Sequence, residues 1–370
     1  VHVDYGLRPL VQYVFERARR RPRDLWPPHR MFMDGVTEHD GSLYVGDSYS
    51  PLFAGIFGHG HPVRDYFTFD KKVLMTREFV RRNQLEDPIV WVYHPGFGDC
   101  VNRISRKLLI YDCVDNYAAF PTYRDDPEWL MAREERLCRN ADLVFTTSSA
   151  LYESRRPFNP ENTHLVHNVG DATHFKRAMD DDLAVPDDIA SIQGPVIGFV
   201  GALSDYKLNI EWLIHLADSR PNINIVLIGP IGMADRSTNV TALRRRSNIH
   251  LLGYRDYADL PAYIKGFDVA VIPYRINDYT SSVFPIKFFE FMASGKPVVI
   301  SNLPALRAYY DDVEVACHQN DFVAACDRAL LDEDALRKRA RVALAERNSW
   351  SSRIGAIMTH VNAKLRTMSA

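Results

Sequence analysis

Cysteine is scarce in this 370-residue chain. There are five, Cys100, Cys113, Cys138, Cys317 and Cys326, and no two form a CxxC pair. An odd number without pairing motifs predicts reduced thiols, with neither a disulfide framework nor a zinc site. Long apolar runs are missing too: no stretch reaches the roughly 18 residues that a membrane span needs. The formal net charge is −2, which gives no bulk attraction to nucleic acid. The start, Val1-His2-Val3-Asp4-Tyr5-Gly6, lacks the apolar core of roughly 7–15 residues that marks a signal peptide. It reads as the end of a first strand, with further residues expected before it. No short-period repeat and no low-complexity segment is present.

What is there is ordinary soluble-globular material, 46% hydrophobic and 25% charged, in a chain long enough for two domains. The second half alternates strand and helix patterns. Strands are expected at 196–201, 223–229, 249–252 and 268–272, and helices at 208–218 and 260–265. Apolar strands alternating with helices predict a parallel, doubly wound sheet. The first half repeats the pattern more loosely. Strands are expected at 43–45, 89–93, 108–113, 143–146 and 164–167, and helices at 71–83 and 128–139. The stretch 171–194, with Asp180-Asp181-Asp182 and Pro186, has the composition of an exposed connection. The amphipathic stretch from Trp350 to about Arg366 is expected to cross back onto the first domain.

One segment carries most of the chemistry. Residues 281–300 read Ser-Ser-Val-Phe-Pro-Ile-Lys-Phe-Phe-Glu-Phe-Met-Ala-Ser-Gly-Lys-Pro-Val-Val-Ile, a polar loop, a short helix and a buried strand. Pro285 suits a first helical turn, Gly295 a C′ position, and Pro297 blocks continuation. Ile286, Phe289 and Ala293 are expected on one buried face, and Lys287, Glu290 and Ser294 on another. Hydroxyls feeding a helix N-terminus that bears a Lys and a Glu one turn apart can hold a phosphate and a sugar hydroxyl together.

The run Pro285 to Val299 resembles the donor-binding motif of GT-B glycosyltransferases, in the family-4-like variant of bacterial exopolysaccharide and teichuronic-type polymer synthesis. Asn277 and Thr280 match the same pattern, as do the stretches 198–207, 227–230, 111–117 and 141–151. The resemblance runs from about residue 90 to the C-terminus and implies an α/β fold of GT-B architecture. That means two Rossmann-like domains facing a cleft: 1–172 for the acceptor, with 350–368 packing back on it, and 173–349 for the donor. By the same resemblance Glu290 takes the ribose hydroxyls of the nucleotide. Lys287 and Lys207 meet the diphosphate, where without a metal a Lys or Arg plus a helix N-terminus must neutralise the leaving group. Gly201 lets the backbone turn close to the ligand, and Tyr254 or Arg255 lines the base. In the first domain Asp112, Asp115 and His94 stand at strand C-terminal ends, where ligands of open α/β sheets bind, and are candidates for contact with the donor sugar.

One position departs from the pattern. Many relatives carry a sugar-gripping Glu eight residues before the one matching Glu290; here that residue is Ser282. The sugar contact is then expected from backbone amides of the loop 277–282, which includes Ser281. Each of these residues has a plainer reading as a surface lysine, a cap or a strand-end loop. Asp180-Asp181-Asp182 resembles the metal-binding DxD of another fold, but its place in the connection reads as linker, and no metal or cofactor is expected beyond the nucleotide-sugar substrate. The basic stretch 17–23, Arg-Ala-Arg-Arg-Arg-Pro-Arg, is either a solvated helix end or a surface for an anionic membrane.

The reading is a cytoplasmic enzyme, or one peripheral on the inner membrane face. It moves a sugar from a nucleotide diphosphate (UDP or GDP) to a glycan or lipid-linked glycan, with retention. Two alternatives stand beside it: a nucleotide-sugar 2-epimerase, and a non-catalytic donor-binding scaffold of a polysaccharide assembly.

Overall fold

The computed structural model describes residues 2–3, 35–39, 43–47, 58–233, 235, 237–332 and 334–369. The basic stretch 17–23 lies outside them. The chain divides into two compact units, one of Val1–Asp112 with Asp125–Val144 and one of Cys113–Arg124 with Phe145–Ala370.

The described strands make three sheets. In the first, β1 (His2–Val3) lies parallel to β3 (Leu43–Asp47), and β2 (Gly35–His39) pairs with β3 antiparallel. The expected strand end at residues 2–3 is therefore strand. A four-stranded sheet has the order β4-β5-β6-β7: Ile89–Val92, Leu108–Cys113, Leu143–Thr146 and Thr163–Leu165. Every residue of β5 and β6 is buried, as expected of strands covered on both faces. Helices α1 (Lys71–Arg82) and α2 (Pro127–Asn140) belong to the first unit. Asp126 caps α2 by accepting from the Trp129 amide, and Pro127 occupies the first turn, where no N–H is missed.

The second unit is built on six parallel strands: β8 (Val196–Val200), β9 (Asn224–Ile228), β10 (Ile249–Gly253), β11 (Val269–Ile272), β12 (Val298–Ser301) and β13 (Glu314–Ala316). Their order is β10-β9-β8-β11-β12-β13. That is the doubly wound order, and the chain changes direction between β8 and β11. Helices α4 (Ile210–Ser219), α6 (Gln319–Leu330) and α7 (Ala335–Arg347) surround the sheet, after α3 (Ser149–Arg155) and before the final α8 (Trp350–Ser369). The single turn Ala172–Lys176 packs on α5, Ile286–Ala293.

Helix α5 starts one residue later than Pro285, which is its N-cap, and Gly295 follows it at φ +72° as a C′ glycine must. The expected apolar face is wrong at one end. Ile286 is 38% exposed, whereas Phe288, Phe289, Phe291 and Met292 are fully buried. The helix lies between α7 and the turn Ala172–Lys176, so most of its circumference is covered and its first turn is the most exposed. Each of those fully buried side chains contributes about 1.5–3 kcal/mol of apolar burial, which makes α5 a rigid mount.

Helix α8 packs on residues 145–167. His360 stacks on His164 with ring centroids 3.8 Å apart, Arg353 donates to the His167 carbonyl, and Lys364 to Asn162. Among the described residues no helix is long and apolar enough to cross a membrane. Cys317 is exposed and the other four cysteines are buried. The carbonyls of Asp180 and Asp181, in the expected connection, accept from the Lys265 ammonium.

Candidate functional site

Ligands of an open parallel sheet bind beyond the strand C-termini where the order reverses, here between β8 and β11. The loop after β8 begins at Gly201, φ +148°, whose N–H donates to the Ile228 carbonyl. A Cβ on Gly201 would lie 2.9 Å from Cε and 3.1 Å from Nζ of Lys287. Gly229, φ +145°, lies so close that its Cβ would meet the Gly201 carbonyl oxygen at 2.0 Å. Two glycines thus bring the loops after β8 and β9 together backbone to backbone, and the bare backbone of one of them receives the Lys287 ammonium.

Tyr274 follows β11 and is 2% exposed. Its hydroxyl is hydrogen-bonded with Lys287, and the Lys207 ammonium stands 5.4 Å from its ring centroid. Burial would raise the phenol, but Lys207 and Lys287 outweigh it and hold the group below its ordinary value. Burial would likewise lower the Lys287 ammonium; Tyr274 and Glu290 beside it hold it up. Lys287 is therefore a half-buried cation beside a glycine turn, held in its charged form by its neighbours.

Glu290 is one turn further along α5. Burial raises its carboxyl, Lys287 pulls it down, and Asp171 raises it again. Asp171 caps the turn Ala172–Lys176 through the His174 amide, and His174 stacks on Tyr257 with centroids 4.5 Å apart. Gly170 presses on this helix: its Cβ would lie 2.9 Å from the Glu290 amide nitrogen.

Asp115, in the segment Cys113–Arg124 of the same unit, accepts a 3.4 Å hydrogen bond from Tyr279 and is drawn toward Lys207. Burial pushes its carboxyl up to about 6. Phe120 meets Tyr279 edge-on at 4.7 Å, and Tyr206 lies 5.3 Å from Tyr279.

The structure thus brings Gly201, Lys207, Lys287, Glu290 and Asp115 into one unit, around Tyr274. Other expected residues are occupied elsewhere. Asn277 shapes its own loop: Oδ1 accepts from the Tyr279 and Thr280 amides, and Nδ2 donates to the Tyr206 carbonyl. Thr280 is fully buried and donates to the Arg275 carbonyl. The Ser281 amide donates to the Asn277 carbonyl, and the Ser282 carbonyl accepts from Ser148. Arg255 is pinned to Asp188 at 2.7 Å and to the Tyr263 hydroxyl, while Tyr254 is 57% exposed at the end of β10. Asp112 and His94 belong to the first unit. Asp112 is fully buried in β5. His94 accepts from the Gly96 amide as the cap of the turn Pro95–Asp99 and stacks on Phe69, and burial drops its pKa to about 3.

Sequence reasoning missed Tyr274, Asp171, Tyr279, Tyr206 and Tyr257. Only position carried a signal: Tyr274 stands just past the C-terminal end of a buried strand, and aromatic residues there read as core.

Residues 194–332 match the family model "Glycosyl transferases group 1". TuaH of Bacillus subtilis (strain 168), named as a teichuronic acid biosynthesis glycosyltransferase, is 28% identical over 288 residues, which is 73% of this chain and 71% of the relative. Among solved structures, HepE of Anabaena in complex with UDP and glucose aligns with a TM-score of 0.61 at 17% identity, covering 100% of this chain and 98% of that one. Sucrose-phosphate synthase of Thermosynechococcus elongatus aligns at 0.65 and 17% identity, covering 89% and 86%. A UDP-forming trehalose-phosphate synthase of Burkholderia xenovorans aligns at 0.66 and 15%, covering 91% and 90%. The chain has the GT-B fold, and its residues 194–332 resemble the group 1 glycosyltransferases.

Proposed function

We propose that this glycosyltransferase moves a sugar from a nucleoside diphosphate donor, a UDP-sugar first among the candidates, to a hydroxyl of a glycan or lipid-linked glycan in polysaccharide synthesis. The observation that carries the proposal is the half-buried Lys287 ammonium seated over Gly201, one turn from Glu290 and bridged by Tyr274 to Lys207. Glu290 takes the ribose diol. Lys287, Lys207 and the first turn of α5 take the diphosphate. When the bond from the anomeric carbon to the phosphate oxygen breaks, the leaving diphosphate gains charge, and two preplaced ammonium groups stabilise it without reorganising. These cations supply the charge a metal would otherwise bring, so the reaction is metal-independent. Retention, and work at the inner membrane face on a lipid-linked acceptor, are part of the same proposal.

The test is incubation with UDP- and GDP-sugars, with and without membrane extract, while released nucleotide is measured. Nucleotide release that depends on the extract and is lost in Glu290→Ala and Lys287→Ala supports the transferase. Epimerised free donor points to an epimerase. Tight nucleotide binding without turnover under any condition points to a scaffold subunit.

A further inference from the structure

We propose that Asp115 is the carboxylate that receives the hydroxyls of the donor's sugar, and that it fits the site to neutral hexoses rather than to sugars bearing a carboxylate. The inference rests on the nucleotide-sugar reading above and extends it to the sugar.

The loop that stands where a sugar-gripping Glu is common has little left to offer. The Asn277 amide donates to Thr280 Oγ1 at 3.0 Å, and the Tyr279 and Thr280 amides to Asn277 Oδ1, both at 3.0 Å. The Ser281 amide donates to the Asn277 carbonyl at 2.9 Å and the Ser282 amide to the Tyr279 carbonyl at 3.1 Å. Five of the six amides of 277–282 are thus spent on the loop itself, which leaves little for a sugar. The loop's product is the placement of Tyr279, whose hydroxyl reaches Asp115.

The charged groups form a series: Glu290 beside Lys287, Lys287 on the Tyr274 hydroxyl, Lys207 against the same ring, Asp115 beside Lys207. Carboxylate, cation, cation, carboxylate is complementary to a ribose diol, two phosphates and a set of sugar hydroxyls in that order. A nucleoside diphosphate sugar has this arrangement, and with Glu290 at the ribose the far carboxylate falls to the sugar. Tyr279 takes Oδ1 of Asp115, and among the described residues no second hydrogen bond reaches the carboxyl. Phe120 and Tyr206 pack on Tyr279, and the three rings supply apolar faces for the C–H surface of a pyranose. A sugar carboxylate brought against Asp115 meets a like charge in a partly desolvated place, which rejects it.

The experiment titrates wild type, Asp115→Asn and Tyr279→Phe with UDP, UDP-glucose, UDP-N-acetylglucosamine and UDP-glucuronate, and with the matching GDP compounds. Wild type is expected to bind a neutral nucleotide sugar at least ~10-fold more tightly than the glucuronate, and Asp115→Asn to lose most of that difference while binding the bare nucleotide within ~2-fold of wild type. Tyr279→Phe is expected to fall between them. An Asp115→Asn protein that keeps the wild-type ranking overturns the inference, as does a wild type that prefers the glucuronate. Failure of wild type to bind any nucleotide overturns the donor reading itself, and bare-nucleotide binding by the variant shows that it is folded.

Discussion

The Lys287 ammonium lies 3.1 Å from where a Cβ on Gly201 would stand. One residue's missing side chain is thus the other's seat. Gly201→Ala is expected to lower stability by about 1–3 kcal/mol, because φ +148° is strained for any L side chain, and to displace the Lys287 stem. Thermal unfolding reads the first effect. A nucleotide titration reads the second, as an affinity loss larger than in a control such as Gly58→Ala, where a Cβ meets nothing within 4 Å.

Tyr274→Phe removes one hydroxyl from a fully enclosed ring and changes little volume. It leaves the Lys287 ammonium without that hydrogen bond and takes away a group that holds the two lysines together. A stability loss of about 1–3 kcal/mol is expected from the lost bond to a charged group. Nucleoside diphosphate affinity should fall with it, while nucleoside without phosphate binds as before. Paired titrations with UDP and uridine check this; equal losses for both would refute the assigned role.

Burial raises the Asp115 carboxyl to about 6. A carboxyl whose pKa is higher in the folded state than in the unfolded chain adds stability at low pH and loses that contribution as pH rises to 6. Wild type should therefore lose stability relative to Asp115→Asn between pH 4 and pH 7, with Lys207 moderating the loss. Sugar-dependent affinity should run the other way, weakening below pH 6 as the carboxylate is protonated. Melting curves of both proteins across this range test the sign.

Much of this was legible in the sequence because the signals were local. β5 runs Leu108–Cys113 where the run Leu108–Tyr111 places it, and Gly295 takes the positive φ that its place after α5 requires. Lys287 and Glu290 are one turn apart by helical spacing alone. The failures were of tertiary origin. Ile286 read as core, but the cover over α5 stops short of its first turn. Asn277 and Thr280 read as donor-binding by their match to the family pattern, and that pattern carries no sign that their side chains also build the loop. Tyr274 and Asp171 matter through groups far away in sequence, a relation that no spacing rule carries.

The central claim is that Lys287 and Glu290 hold a nucleoside diphosphate, and calorimetric titration of wild type, Lys287→Ala and Glu290→Ala with UDP and GDP tests it most directly. The account predicts binding of at least one nucleotide by wild type and a loss of at least ~30-fold in Lys287→Ala, the equivalent of about 2 kcal/mol for a buried charged contact. Glu290→Ala should lose affinity for the nucleotide and retain it for pyrophosphate. Unchanged nucleotide affinity in Lys287→Ala, with the variant folded, would contradict the account.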